Sequence, residues 1–187
     1  MSSPLSFAIL ILLAKEPMTG YQISRSMQRP LGYFWTARHS QIYPELAELE
    51  ADGLARSTVI AGPGPRDTKR YAITREGKKV LTAWLDGPPP QQDPRDELML
   101  RVWSLWLLSP ERAAVLIRSV REQQVAALDI SAFEEEEFHR NEHSLHDPTQ
   151  PAFGEYATLR FGVARRRATV EWCDWLLAQL APFGDPG

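Results

Sequence analysis

The chain is poor in the residues that would place it in several large classes. It has one cysteine, Cys173, in 187 residues. No intrachain disulfide framework is possible, and a reducing cytoplasm is the expected setting. No long hydrophobic run is present. The most apolar stretch, Leu5 to Ala14, is about ten residues, against roughly 20 needed to cross a bilayer. It lacks a basic flank before it and a clear cleavage site after it, so it does not read as a signal peptide. No glycine-rich phosphate loop and no plausible nucleophilic triad emerge, which disfavours a classical enzyme. Nothing calls for a cofactor, and no membrane contact is expected.

An excess of positive charge is also missing, since the net charge is -3. The distribution matters more than the sum. Residues 1–85 hold 11 Lys/Arg against 7 Asp/Glu, or +4, and residues 86–187 hold 10 against 17, or -7. A basic half that binds phosphates and an acidic half with another task are compatible with this split. Apolar content of 43% suffices for packed cores.

What is present is punctuation. Gly87-Pro88-Pro89-Pro90-Gln91-Gln92 cannot continue a helix and favours an extended segment. It predicts a first domain over 1–86, a proline-rich linker over 87–94 and a second domain over 95–187. In the first, the pattern is three helices, a hairpin and a fourth helix. Pro4 to Ala14 is apolar all round and reads as a buried helix. Thr19 can cap a helix over Gly20 to Met27, which the Arg29-Pro30-Leu31-Gly32 stretch ends. Tyr33, Phe34 and Trp35 are expected to pack under the third helix. Ser40 is expected to cap that helix. Ile42, Leu46 and Leu49 form its inward stripe, and Asp52-Gly53 ends it. Ala55 to Ile60 and Lys69 to Ile73 read as strands joined by the Gly62-Pro63-Gly64-Pro65-Arg66-Asp67 tip. Thr74 caps the fourth helix.

The second half predicts three helices. Arg95 to Leu108 is short and rich in large apolar groups. Pro110 to about His139 starts at a Ser109-Pro110-Glu111 cap. In the last, Ala152 to Ala181, apolar residues recur three and four apart at Tyr156, Leu159, Val163, Val170, Cys173, Leu177 and Leu180, with Arg166 the polar exception. That heptad-like seam predicts a partner helix, with a second protomer as the natural candidate. The fold class is mainly α with a small β-hairpin, a winged helix-turn-helix domain followed by an all-helical dimerisation domain.

The first turns of a helix in the major groove reach deepest. Ser40, Gln41, Tyr43 and Pro44 hold that position. Gln can pair with adenine, and Ser can bond a base edge or a phosphate. Against this stands the plainer reading that Ser40 only caps and Tyr43 only packs. Arg66, Lys69 and Arg70 cluster on the hairpin and would supply phosphate attraction. Their other reading is a solvated edge guarded against aggregation.

These segments resemble one family. The residues carrying the resemblance are Thr19-Gly20-Tyr21-Gln22-Ile23, His39-Ser40-Gln41-Ile42-Tyr43-Pro44-Glu45-Leu46, Leu49-Glu50-Ala51-Asp52-Gly53-Leu54 and Lys69-Arg70-Tyr71-Ala72-Ile73-Thr74-Arg75-Glu76-Gly77. They look like the winged helix-turn-helix of the PadR-like transcriptional regulators. Arg95-Asp96-Glu97-Leu98 and the closing Glu171-Trp172-Cys173 helix resemble that family's longer C-terminal domain, related to virulence-gene activators. The resemblance implies a homodimer on double-stranded DNA, more often a repressor than an activator, joined through C-terminal helices. It implies that the Ser40 to Tyr43 helix enters the major groove, and that Tyr21, Arg66, Lys69 and Arg70 contact the backbone. It also implies release by a small aromatic or cationic effector. The proline-heavy hairpin tip departs from the family pattern.

Met99, Trp103 and Trp106 could line such an effector pocket. Core or interface packing is the commoner use of residues at that spacing. His139-Arg140-Asn141-Glu142-His143 matches an H-x-x-E-H zinc pattern, with His146 and Asp147 nearby. It follows an acidic run and ends in a polar, proline-broken loop, so a solvated helix end is the plainer reading and no metal site is expected. Arg165 to Arg167 reads as an exposed face that could pair with Glu134 to Glu137. A winged-helix protein-interaction module that does not bind DNA is the alternative to a regulator.

Overall fold

The computed structural model describes residues 3–27, 38–61, 67–90, 95–140 and 145–183. They fall into two compact units, Met1–Pro90 and Gln91–Gly187. The expectations for Tyr33, Phe34 and Trp35, for the Arg29 to Gly32 stop, and for the hairpin tip with Arg66 lie outside the described residues.

In the first unit α1 spans Pro4–Lys15, started by a reciprocal cap. The Ser3 hydroxyl accepts the Ser6 N–H, while the Ser3 N–H donates to the Ser6 hydroxyl. Being apolar all round, α1 is central: Ile9 and Leu10 are fully buried. A two-residue strand β1, Met18–Thr19, precedes α2, Gly20–Ser26. Helix α3 spans His39–Ala51, and its stripe of Ile42, Leu46 and Leu49 is buried as the spacing predicts.

A hydrogen-bonded turn ends α3. Gly53 has φ +70, where a side chain would be strained. Its N–H donates to the Glu50 carbonyl, and the Leu54 N–H donates to that of Leu49. This turn aims the chain into β2, Ala55–Ile60, which pairs antiparallel with β3, Thr68–Ile73. The sheet order is β1-β3-β2. The third strand was not expected, because two residues carry no readable alternation. It forms because β3 offers its second edge to Met18 and Thr19, opposite Tyr71 and Arg70. Helix α4, Arg75–Leu85, starts at Thr74, whose hydroxyl accepts the Gly77 N–H.

The second unit is helical. The expected single helix over Arg95 to Leu108 is instead α5, Glu97–Trp103, followed by a 3-10 turn at Leu105–Leu107. The break falls at Ser104, whose hydroxyl donates to the Leu100 carbonyl at 2.7 Å and competes locally with the helix. Helices α6, Pro110–His139, and α7, Pro151–Leu180, follow, and α7 packs along α6.

Within one chain that packing already covers part of the face expected to pair two protomers. On that face Val163 and Cys173 are buried outright, while Tyr156, Leu159, Val170, Leu177 and Leu180 are half-buried within the single chain. Helix α6 lies beside it in the same chain. A heptad seam specifies a neighbouring helix and says nothing of which chain supplies it. Arg121 clasps Asp174 across the pair with an Nε to Oδ1 distance of 2.5 Å. Glu135 takes Arg160, not the Arg165 to Arg167 run, at 3.2 Å. Tyr156 packs beside Phe138 and His139. Of the H-x-x-E-H segment, 141–143 lie outside the described residues, and among the described residues no cluster is arranged to hold a metal.

Candidate nucleic-acid interface

Burying Ile42, Leu46 and Leu49 forces the opposite face of α3 outward. Ser40, Gln41, Tyr43 and Pro44 are all exposed there. The start of the helix differs from expectation. Arg38, not Ser40, is the N-cap, and it makes no side-chain capping bond. Gln41 closes the turn instead, its Oε1 accepting the Arg38 N–H at 3.0 Å. Its amide N–H groups remain for another partner. Ser40, two residues past the N-cap and inside the helix, has its hydroxyl free of capping duty. Pro44 carries no N–H, so it cannot donate to the Ser40 carbonyl four residues back.

Tyr43 is held by an absence. Its ring lies on Gly20, where an added Cβ would stand 2.6 Å from Cε1. Its other neighbour is His39, with ring centroids 5.2 Å apart. Gly20 opens α2 and the next residue is Tyr21, which is 65% exposed. The structure thereby brings Tyr21, Ser40, Gln41 and Tyr43 onto one surface at the starts of α2 and α3. The later turns of α3 expose Glu48 and Asp52, which would repel phosphates. Only the leading end of the helix suits a groove.

The two described wing cations, Lys69 and Arg70, are not brought together. Lys69 and Arg70 are adjacent in β3, so they project to opposite faces of the sheet. Lys69 lies on the face of buried Tyr71, and its ammonium donates to Glu50 Oε2 of α3 at 3.1 Å. Ser57 donates its N–H and hydroxyl to the other oxygen, Oε1, at 3.2 and 2.5 Å. The Ser57 hydroxyl and then Lys69 hold the Glu50 carboxyl below the usual carboxylate range, and Glu50 raises Lys69 in return. Burial pushes the Tyr71 phenol up. Arg70 takes the other face, with Nε donating to the Pro17 carbonyl at 3.3 Å. The register pairs Arg56 with Ala72 and Thr58 with Arg70, which sets Arg56 diagonal to Arg70 on that face. Arg56 was missed. Strand alternation applied to Ala55–Ile60 would have found it.

In the second unit Trp103 and Trp106 are 86% and 80% exposed, and Met99 is also exposed. Among the described residues of a single chain they enclose no pocket. Phe153, Phe161 and Trp175 are exposed on α7, and Val115, Ile130 and Phe133 on α6. No helix among the described residues is long and apolar enough to cross a membrane.

A buried α1, a helix pair α2 and α3 with the polar end of α3 outward, and a β-hairpin closed by a third strand define a winged helix-turn-helix, the architecture of a class of transcriptional regulators. The pattern of the transcriptional regulator PadR-like family matches residues 9–83, and that of the virulence activator alpha C-terminal family matches 94–181. The chain belongs to the PadR-like family. It is 33% identical over 178 residues to the negative transcriptional regulator PadR of Bacillus subtilis, covering 94% of this chain and 97% of that one. The crystal structure of Bacillus subtilis PadR in complex with operator DNA superimposes with a TM-score of 0.87 at 31% identity, over 95% of this chain and 99% of the other. The same protein in complex with p-coumaric acid gives 0.78 at 31% identity, over 95% and 98%.

Proposed function

We propose that the chain is a cytoplasmic homodimeric repressor that binds an inverted-repeat operator and is released by a small aromatic or cationic effector. The observation that carries the DNA reading is the exposed leading end of α3, with Tyr43 seated on Gly20, in a fold that matches a DNA-bound relative along nearly its whole length. In this reading residues 1–86 bind DNA, 87–94 are a linker and 95–187 dimerise. Ser40 and Gln41 face base edges, while Tyr21, Tyr43, Arg66 and Arg70 face the backbone. Two reading helices related by a two-fold fit a palindromic site.

Large apolar side chains left uncovered on the second unit favour a second protomer there. Phe161 and Trp175 on α7 take the dimer role expected of the seam. Met99, Trp103 and Trp106 would be enclosed only once another surface covers them, and that enclosure is the candidate effector pocket. The relative's complex with p-coumaric acid supports an aromatic effector. The chain has no catalytic part in this reading.

The test uses the purified full chain and labelled duplex from upstream of its own gene. Light scattering should give a dimer mass. Fluorescence anisotropy should show binding that weakens steeply with salt and is reversed by p-coumaric acid. A monomer with no salt-sensitive DNA binding would overturn the regulator reading and leave the protein-interaction module.

A further inference from the structure

The Glu50 carboxylate stands where three elements meet. It rises from the last full turn of α3 and takes both hydrogen-bond donors of Ser57 on β2 with one oxygen. With the other it takes the ammonium of Lys69 on β3. Ser57 pairs with Tyr71 in the hairpin register, yet its N–H points away from β3 toward Glu50. Strand β2 is an edge in the order β1-β3-β2. An edge N–H needs a partner, and Glu50 supplies it in place of a fourth strand. The same carboxylate neutralises Lys69. A cation 3.1 Å from a carboxylate adds almost nothing to the potential that a DNA phosphate meets a Debye length away.

We propose that Glu50 is a positioning residue for the wing, fastening the hairpin to the reading helix through Ser57 and Lys69, and that Lys69 serves this latch instead of a DNA phosphate. The inference rests on the DNA-binding reading for its consequence, but the latch itself does not. The angle between reading helix and wing decides whether both can engage one duplex. In a winged helix that angle is set wherever α3 and the hairpin are tied. Here the ties are the Gly53 turn at one end and Glu50 near the middle of β2.

The two roles for Lys69 predict different salt behaviour. Each phosphate neutralised contributes about 0.9 to the slope of log affinity against log salt. The probe is a fluorescein-labelled mixed-sequence duplex, titrated with the full chain across a salt series. Lys69→Gln and Glu50→Gln should each lower affinity about two- to fivefold, the range of a partly exposed ion pair, with the slope unchanged. Ser57→Ala, which alters no charge, should weaken binding in the same direction. A slope reduced by about 0.9 in Lys69→Gln, or tighter binding in Glu50→Gln because a cation has been released, would overturn the latch.

Hydrogen exchange without DNA is the second arm. Amides of residues 55–60 should exchange about two- to fivefold faster in Glu50→Gln and in Ser57→Ala than in the parent chain. Unchanged exchange in both variants sinks the proposal even where DNA binds. A parent chain that binds no duplex at any salt overturns the DNA reading, while the exchange arm still decides the latch.

Discussion

Replacing Gly20 with Ala isolates the seat of Tyr43. The backbone of Gly20 is not in the left-handed region, since Gly53 is the positive-φ glycine among the described residues. Alanine therefore fits the chain there, and the start of α2 gains about 0.4–1 kcal/mol from a less flexible unfolded state. The cost falls on the ring. The new Cβ would lie 2.6 Å from Cε1 and 3.0 Å from Cζ of Tyr43, and Cε1 must retreat to 3.4 Å before the contact is ordinary. Tyr43 is 46% exposed, so the ring can swing into solvent. Lost ring contacts and gained helix propensity nearly cancel, and stability should change by less than about 1 kcal/mol. DNA affinity should not be spared. A tyrosine hydroxyl bonded to a phosphate contributes about 1.5–3 kcal/mol, and a ring moved by most of an ångström keeps only part of it. The expected loss is about tenfold, or 1.4 kcal/mol. Anisotropy against upstream duplex measures it, and the salt slope should not move because no charge changes. The double-mutant cycle with Tyr43→Ala is decisive. If the ring carries the effect, Gly20→Ala costs nothing further in the Tyr43→Ala background. A tenfold loss that persists there, or no loss in the single variant, refutes the reasoning.

Other substitutions probe the frame around this surface. Gly77→Ala would set a Cβ 2.1 Å from the Leu54 carbonyl oxygen, a backbone atom that cannot step aside. It should destabilise the first unit by about 3 kcal/mol, read by urea unfolding, against about 1–2 kcal/mol for Gly53→Ala, where only φ is at issue. Phe161→Glu or Trp175→Glu should halve the mass in light scattering with helicity retained, whereas Val163→Glu, on the face covered by α6, should lose helicity as well. Burial, and next Asp174, push the Cys173 thiol up. A thiol reagent at mildly alkaline pH should label it only after unfolding. Because Glu50 titrates below the ordinary carboxylate range when folded, its contribution is complete above that range and fades as pH falls through its folded pKa. Protection of amides 55–60, taken relative to their intrinsic exchange rate at each pH, should therefore fall on acidification in the parent and stay flat in Glu50→Gln.

Much of the fold was legible because its signals are local. Thr19, Thr74 and Ser109 cap the helices they precede, Gly53 ends α3, and the Ile42, Leu46 and Leu49 stripe marks its inner face. The errors come from competition that a linear pattern hides. Ser40 looks like a cap, but Gln41 reaches back to Arg38 and starts the helix two residues earlier. Arg95 to Leu108 is apolar enough for one helix, yet Ser104 breaks it. Lys69 and Arg70 look like one basic cluster, and strand alternation sends them to opposite faces. The exposed quartet of Tyr21, Ser40, Gln41 and Tyr43 was readable as candidates. Gly20 as the seat of Tyr43 was not, because a missing side chain has meaning only beside the atom that would collide with it.

By itself the sequence determined the helix and hairpin order, the break at the prolines, the caps and stops, and which residues of α3 turn inward. Hydrogen bonds within a few residues and hydrophobic periodicity suffice for these, since each depends on spacing along the chain. Tertiary structure alone decided which partner each surface meets. It packed α7 along α6 of the same chain, seated Tyr43 on Gly20, tied Lys69 to Glu50 nineteen residues away, and left Phe161 and Trp175 uncovered. Those outcomes depend on contacts between distant segments, where charge and shape are matched only after the chain has folded back on itself.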